Sequence, residues 1–156
     1  MDKILFVCLG NICRSTMAEA IMKDKLKKKG LSKLFSCYSV GTAGYHIGKS
    51  PDSRTMKVLE DHNIVYSHKA EQLDPYHLEN YKYVFAMDEE NLKNINELAM
   101  ANGIECKARL LRESFSASDE VNIPDPYYGG DEGFNEIYKI LDECCSNFLH
   151  GLVSVN

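Results

Sequence analysis

Long apolar runs are absent from this sequence of 156 residues. No stretch approaches the roughly 20 apolar residues that a membrane-spanning helix needs. The apolar run from Ile4 to Leu9 is too short for the core of a signal peptide, and it ends in Gly10-Asn11. We therefore expect a cytoplasmic protein that does not associate with membranes.

Paired cysteine motifs are also missing, although the sequence has six cysteines. No CxxC pair stands opposite a second one, which argues against structural zinc, and we expect no metal or other cofactor. Without an export signal, and with 44% hydrophobic residues to form a core, a disulfide framework is not expected either. We predict reduced thiols, and assign a packing role to Cys37, Cys106, Cys144 and Cys145.

An excess of positive charge is lacking as well, because the formal net charge is -5. This balance argues against a general nucleic-acid binder, which normally has a basic face. The one basic run, from Lys23 to Lys29, is interpreted as the solvated face of a helix. The length suits one compact domain over residues 1–156.

Short apolar segments alternate with helical patterns along the chain. Buried strands are predicted at residues 4–8, 35–40, 83–87 and near 106–110. Helices are predicted from residue 14 to Gly30, after Ser50 with Pro51 as the first helical residue, around 92–98, and over 134–152. This order predicts an α/β fold, a doubly wound, four-stranded parallel sheet with helices on both faces. Ligands bind such sheets at the carboxyl ends of the strands.

The loop after the first strand has a cysteine and an arginine separated by five residues, Cys8 and Arg14. That spacing is weak evidence alone, but its context strengthens it. Cys8 ends a buried strand, Gly10 permits unusual dihedrals, Asn11 tolerates the left-handed region, and a helix begins at Arg14. This geometry turns backbone N–H groups inward above a helix N-terminus, which forms an anion site.

The side chains of this loop suit phosphate chemistry. Arg14 can grip two phosphate oxygens. The positive potential of the N–H groups and Arg14 also favours a thiolate at Cys8, whose pKa would fall from about 8.5 towards about 3.5–7.5. Ser15 is placed to hydrogen-bond this thiolate. The alternative is a buried structural cysteine beside an arginine that begins a helix. The predicted phosphate-binding residues are Leu9, Gly10, Asn11, Ile12, Cys13, Arg14 and Ser15.

The segment VCLGNICRS resembles the signature of the low-molecular-weight protein-tyrosine phosphatases. The similarity extends through almost the whole chain to the acid loop that begins at Asp125-Pro126, and Thr16 stands where the family usually has proline. The resemblance implies phosphotyrosine hydrolysis that releases inorganic phosphate, with Cys8 as nucleophile, Arg14 as phosphate clamp and Asp125 as acid and then base. Without it, Asp-Pro before two tyrosines would be interpreted as a turn.

The resemblance also implies a pocket for the phenyl ring. Its walls would be Ile12, Tyr45, Tyr127 and Tyr128. Ile12 is informative because the related phosphoarginine phosphatases tend to have a small polar residue there. Tyr45, an isolated tyrosine in a glycine-rich loop, could equally be a surface residue.

A supporting network is implied behind the loop. Ser39 and His68 match the residues that brace the loop asparagine, and Glu19 would keep His68 charged. Asp88 matches a further acid near the site, with a less defined role. By itself, a histidine in the polar segment around His68 would be a surface residue.

Cys13 has two compatible interpretations. In the family, the matching cysteine can form a disulfide with the nucleophile under peroxide, which here would join Cys13 to Cys8. The simpler interpretation is a buried cysteine in the loop.

Two other functions share part of the pattern. An arsenate reductase on the same scaffold needs two further cysteines on a mobile segment, and residues 88–100 contain none. A non-catalytic phosphopeptide-binding module could discard the nucleophile or the acid, yet Cys8 and Asp125 are both present. A structural or assembly role has no signal beyond Tyr127 and Tyr128, which in the family can be phosphorylated or pack in dimers. The expected partners are phosphotyrosine-containing proteins or peptides, and the expected state is a monomer or a weak dimer.

Overall fold

Strands and helices alternate along the chain in a computed structural model, which describes residues 1–155; Asn156, the last residue of the predicted domain, lies outside the described residues. The strands are β1 (Asp2–Cys8), β2 (Phe35–Gly41), β3 (Tyr83–Ala86) and β4 (Arg109–Leu110). The helices are α1 (Arg14–Lys28), α2 (Ser53–Asp61), α3 (Pro75–Asn80), α4 (Glu89–Ala101), α5 (Leu111–Phe115) and α6 (Asp131–Val155).

The four strands form one parallel sheet in the order β2-β1-β3-β4. At its carboxyl edge, Cys8 pairs with Gly41 of β2, and Val7 pairs with Ala86 of β3. The predicted doubly wound α/β fold is confirmed. Because β1 lies inside the sheet, the loop that follows it opens at the middle of the carboxyl edge.

Side chains of β1 enter two separate cores. Ile4 and Phe6 face a core built with α1, α2, α5 and α6, whereas Leu5 and Val7 face a core built with α3 and α4. All four side chains are fully buried. Burial of one such side chain contributes about 1.5–3 kcal/mol, so the helices on both faces hold β1 firmly at the base of the loop.

The start of α2 differs from the prediction. Asp52 is the N-cap, its carboxylate accepts a hydrogen bond from the Arg54 N–H at 2.9 Å, and the helix begins at Ser53. The prediction that Pro51 is the first helical residue was therefore wrong by two positions. An aspartate that satisfies a free N–H of the first turn determines the helix start more strongly than the preferred φ of proline does.

Two short helices were not predicted, and the last strand is shorter than expected. Helices α3 and α5 have six and five residues, too few for apolar periodicity to indicate a helix. Strand β4 consists of Arg109 and Leu110 alone, so the predicted strand from residue 106 was too long. In α3, Asp74 and His77 form a capping box that stabilises this short helix.

Helix α1 begins at Arg14, as predicted. Thr16 is its third residue and is fully buried. The Thr16 hydroxyl donates to the carbonyl of Cys13 at 2.9 Å, which gives the first turn a bond that proline could not make. At the other end of the helix, Lys28 pairs with Asp24 on an exposed face, in agreement with the interpretation of the basic run.

The six cysteines are free thiols. Five of them are buried, and Cys106 is half-buried. In the part of the chain that the structure describes, no helix is both long and apolar enough to cross a membrane.

Candidate active site

The loop between β1 and α1 owes its shape to Asn11. Asn11 adopts a φ of 59°, in the left-handed region that the sequence predicted for it. Gly10 does not adopt a positive φ, so the freedom that glycine allows is not used in that way here. A Cβ at Gly10 would lie 2.9 Å from Cδ2 of His46, which shows that glycine is needed here for the close approach of an imidazole ring.

A second glycine, Gly41 at the end of β2, supports the loop from below. A Cβ at Gly41 would lie 2.6 Å from the carbonyl oxygen of Leu9 and 3.0 Å from the backbone nitrogen of Asn11. Two bonds continue this contact, from the N–H of Thr42 to the Cys8 carbonyl and from that of Ala43 to the Leu9 carbonyl, each at 2.9 Å. The loop therefore lies directly on the backbone that follows β2.

Cys8 lines a pocket and is 3% exposed. Its Sγ is 3.0 Å from the Ser15 hydroxyl. Within residues 1–155, the backbone N–H groups of residues 10–15 have no hydrogen-bond acceptor in the protein. Such N–H groups at a helix N-terminus suit an anion held above the sulfur.

The side chain of Asn11 connects the loop to the rest of the sheet edge. Its Nδ2 donates to the hydroxyls of Ser15 at 2.8 Å and Ser39 at 3.0 Å. Its Oδ1 accepts from the N–H of Glu71 at 3.0 Å and lies 2.8 Å from Nε2 of His68. Because Oδ1 is an acceptor, Nε2 of His68 carries a proton in this arrangement.

Glu19 lies behind this network and is fully buried. Its Oε1 accepts hydrogen bonds from Ser39 at 2.7 Å and Tyr66 at 3.0 Å, and its Oε2 pairs with Lys23. Nδ1 of His68 is 3.5 Å from Oε1. Burial nevertheless lowers the pKa of His68, and the opposing effect of Glu19 is smaller. This direction is opposite to the expectation that Glu19 keeps His68 charged, because burial of the ring outweighs the charge of Glu19.

Arg14 is 2% exposed and is held from one side. Its Nη1 donates to Oδ2 of Asp88 at 2.6 Å and to the carbonyl of Ile123 at 2.9 Å. Burial opposes its charge, but Cys8, Asp88 and Asp125 outweigh that effect and raise the pKa of Arg14. Asp88 also caps α4 through Asn91, so the start of that helix and the guanidinium share one carboxylate.

Asp125 lies in the loop between α5 and α6 and reaches the same pocket as Cys8. Its Oδ1 accepts from the N–H of Tyr127 at 3.0 Å, and its Oδ2 is 3.6 Å from Nη2 of Arg14. The backbone of Ile123 is fixed by a bond from its N–H to the Met87 carbonyl at 2.9 Å. The segment is thus a turn, and it brings the Asp125 carboxyl group to the pocket that Cys8 lines.

The predicted wall residues surround the mouth of the pocket. Ile12 is buried, Tyr127 is half-buried, and Tyr45 and Tyr128 are 74% and 92% exposed. His46, which the sequence interpretation missed, also lines the pocket, with its ring 6.4 Å from that of Tyr45 and 6.0 Å from that of Tyr127. The rings of Tyr45, His46, Tyr127 and Tyr128 form an aromatic collar around the pocket.

Cys13 lines the pocket beside Cys8 and is buried. Burial, with a smaller effect of Asp52, raises the pKa of its thiol to about 12. Cys13 is therefore a neutral thiol near pH 7. Within residues 1–155, no group of three or more His, Cys, Asp or Glu side chains is arranged to hold a metal ion.

Comparison with known proteins agrees with this geometry. Residues 3–155 match the family model described as low molecular weight phosphotyrosine protein phosphatase. The chain is 42% identical over 151 residues to the low molecular weight phosphotyrosine protein phosphatase of Schizosaccharomyces pombe. The match covers 96% of each chain.

Two crystal structures show the same fold. One is a protein tyrosine phosphatase from Entamoeba histolytica, with a TM-score of 0.90 and 33% identity over 99% of this chain and 98% of that one. The other is the drosophila arginine phosphatase, with a TM-score of 0.90 and 32% identity over 97% of this chain and 98% of that one. The chain therefore belongs to the low molecular weight phosphotyrosine protein phosphatase family, whose members are hydrolases.

Proposed function

We propose that the protein hydrolyses phosphotyrosine and small aryl phosphates through a phosphocysteine intermediate. The observation that carries this proposal is one pocket that contains the thiol of Cys8, the guanidinium of Arg14 and the carboxyl group of Asp125. A nucleophile, an anion clamp and a proton donor are the three groups that this displacement requires.

In the first step the Cys8 thiolate attacks phosphorus and the bond from phosphorus to the phenolic oxygen breaks. Asp125, which enters the step protonated, gives its proton to the leaving oxygen. Arg14 and the free N–H groups of residues 10–15 hold the equatorial oxygens. The products of this step are a phenol, a phosphocysteine and an ionised Asp125.

In the second step water attacks the phosphocysteine. Asp125 accepts one proton from that water, and the bond from sulfur to phosphorus breaks, releasing inorganic phosphate. The hydroxyl of Ser15, 3.0 Å from Sγ, stabilises the departing thiolate by donating a hydrogen bond. The step regenerates the thiolate and the protonated acid.

The direct test is substitution of Cys8 by serine. We expect Cys8→Ser to abolish turnover of an aryl phosphate while inorganic phosphate still binds, since the N–H groups and Arg14 remain. Asp125→Asn should slow an ester with a poor leaving group by about 10²–10⁴. Acid quenching of the Asp125→Asn variant should also trap phosphate on Cys8, and turnover by Cys8→Ser would contradict the mechanism.

Hydrolysis of phosphoarginine is a second candidate, because the fold is equally close to that of the drosophila arginine phosphatase. The apolar wall formed by Ile12 and the aromatic collar favour a phenyl ring over a charged guanidinium. Rates with matched peptides of phosphotyrosine, phosphoarginine and phosphoserine would separate the candidates. A higher kcat/KM for phosphoarginine would overturn the substrate assignment without changing the roles of Cys8 and Arg14.

The proposed partners are phosphotyrosine-containing proteins or peptides. Tyr45 and Tyr128 are exposed at the pocket mouth, where they can contact a peptide next to its phosphotyrosine. A monomer or a weak dimer stays the prediction for the assembly state, and sedimentation at several concentrations would test it.

A further inference from the structure

Arg54, near the start of α2, bonds to the loop that bears Asp125. Its Nη2 donates to the carbonyl of Tyr127 at 3.0 Å, and its Nη1 donates to the carbonyl of Gly129 at 2.9 Å. These two carbonyls lie just after Asp125 in the chain. A guanidinium can hold both at once because its N–H groups form a planar fork.

The guanidinium of Arg54 is itself oriented by Asp52. Nε donates to Oδ1 of Asp52 at 3.0 Å, and Nη2 donates to Oδ2 at 3.0 Å. Its carbon centre lies 4.4 Å from the ring centroid of Phe134, which is fully buried in α6. The side chain is therefore fixed by a bidentate ion pair and by packing, and does not extend freely into solvent.

Asp52 connects this arrangement to the phosphate loop, the segment of residues 8–15. Its N–H donates to the carbonyl of Ile12 at 2.9 Å. A continuous path thus runs from the loop around Cys8, through Asp52 and Arg54, to the carbonyls that follow Asp125. The pKa of Asp52 is lowered, chiefly by its hydrogen bonds from Arg54, so the pair stays ionised near pH 7.

The segment that bears Asp125 is also anchored on the side before Asp125, by residues other than Arg54. Before Asp125, the carbonyl of Ile123 accepts from Arg14, and its N–H bonds to Met87. After Asp125, the hydrogen bonds from another element to the backbone come from Arg54, whereas the N–H of Gly129 bonds within the segment, to the carbonyl of Pro126 at 3.0 Å. Asp125 lies between these two anchors, and its carboxyl group is about one-third exposed.

We propose that Arg54 is a positioning residue that holds the Asp125 carboxyl group over the sulfur of Cys8. The inference rests on the proposed role of Asp125 as general acid and assigns Arg54 no contact with substrate. A displacement of about 1 Å in a reacting group can cost about 10²-fold in rate, so loss of the anchor after Asp125 should impair proton donation. The phosphate loop should remain intact, since its bond to Asp52 uses backbone atoms.

The test compares Arg54→Met with the parent protein on two aryl phosphates. Methionine keeps an apolar side chain against Phe134 but removes every N–H donor. For phenyl phosphate, whose leaving oxygen needs a proton, we expect kcat/KM to fall about 10–100-fold. For 2,4-dinitrophenyl phosphate, whose anion leaves unaided, kcat/KM should stay near the parent value. The ratio of the two kcat/KM values does not depend on the fraction of enzyme that is folded.

Three matched variants complete the experiment. Lys57→Met removes an exposed cation of α2 that pairs with Asp61, and it should leave both substrates unaffected. Arg54→Lys keeps the charge but cannot span both carbonyls and Asp52, so it should recover only part of the loss. Combined with Asp125→Asn, Arg54→Met should add no further loss on phenyl phosphate.

The outcomes separate the two proposals. Equal losses on both substrates, or a full additional loss in the double variant, would overturn the positioning role of Arg54 and leave the acid in place. An Asp125→Asn variant with the parent rate on phenyl phosphate would overturn the proposed acid itself. An unchanged inhibition constant for inorganic phosphate would verify that the phosphate loop is intact in Arg54→Met.

Discussion

Asn11 and His68 meet at 2.8 Å behind the phosphate loop, where the amide oxygen of the one faces Nε2 of the other. Asn11 is 1% exposed and holds the left-handed turn of the loop at the same time. Two different properties of asparagine are therefore used at one position: tolerance of a positive φ, and an amide that both donates and accepts.

Substitution of Asn11 should separate these two properties. Asn11→Gly keeps the positive φ at no steric cost but loses the hydrogen bonds, so we expect a loss of about 1–3 kcal/mol in the free energy of unfolding. Asn11→Ala loses both and should cost about 1–2 kcal/mol more. Urea denaturation of the two variants measures the difference, and equal stabilities would show that the dihedral has no energetic importance.

The two glycines around the loop should respond differently to an added methyl group. In Gly41→Ala the new Cβ would meet the Leu9 carbonyl, a backbone atom that cannot move without the loop, so we expect a loss of about 1–3 kcal/mol and a fall in kcat. In Gly10→Ala the obstacle is the side chain of His46.

The clash in Gly10→Ala can be relieved by removing a side chain, whereas the clash in Gly41→Ala cannot. We expect His46→Ala to restore activity to Gly10→Ala and to have no such effect on Gly41→Ala. Steady-state kinetics and thermal unfolding of the four variants provide the comparison. Relief of Gly41→Ala by His46→Ala would contradict the assignment of the backbone clash.

Removal of the charge on Asp88 should weaken the hold on Arg14. Loss of a hydrogen bond to a charged group costs about 1.5–3 kcal/mol, which corresponds to about 10–100-fold in kcat/KM for Asp88→Asn. Asparagine is as good an N-cap as aspartate, so α4 should stay intact. Asp74→Asn, the same change at the N-cap of α3, is the matched control, and an equal effect of both variants would attribute the loss to capping.

Alkylation should distinguish the two cysteines of the loop. The pKa of Cys13 is raised to about 12, so this group is protonated in the folded protein at all pH values well below 12, and its reactive thiolate is scarce at pH 7.5. We expect iodoacetamide to label Cys8, with protection by inorganic phosphate, and to leave Cys13 unlabelled. Peptide mass spectrometry reports both sites, and rapid labelling of Cys13 in the Cys8→Ser variant would contradict this expectation.

The elements that the sequence predicted best are those whose signals are local. The apolar run of β1, the helix that begins at Arg14 and the left-handed Asn11 each depend on a few neighbouring residues. Helix α3 was missed because six residues are too few to show a helical periodicity. The start of α2 was predicted two residues too early because the capping bond of Asp52, and not the proline, determines it.

The parts of the site that could not be predicted depend on distant contacts. Nothing near His46 in the sequence indicates that its ring lies over Gly10, and nothing near Arg54 indicates the carbonyls of Tyr127 and Gly129. The direction of the His68 pKa shift was also unpredictable, because it depends on how deeply the fold buries the ring relative to the charge of Glu19. An isolated aspartate-proline pair such as that at Asp125 could be assigned only through the resemblance.

Cys8 and Asp125 reach one pocket from nearly opposite ends of the sequence. A chain emerging from the ribosome therefore exposes Cys8 long before Asp125 has been synthesised. Contacts of such high sequence separation form late in folding, because a long loop must close first. Recovery of turnover of phenyl phosphate after dilution from denaturant would thus report arrival of the last segment, whereas burial of the thiol would report the earlier closure of the sheet.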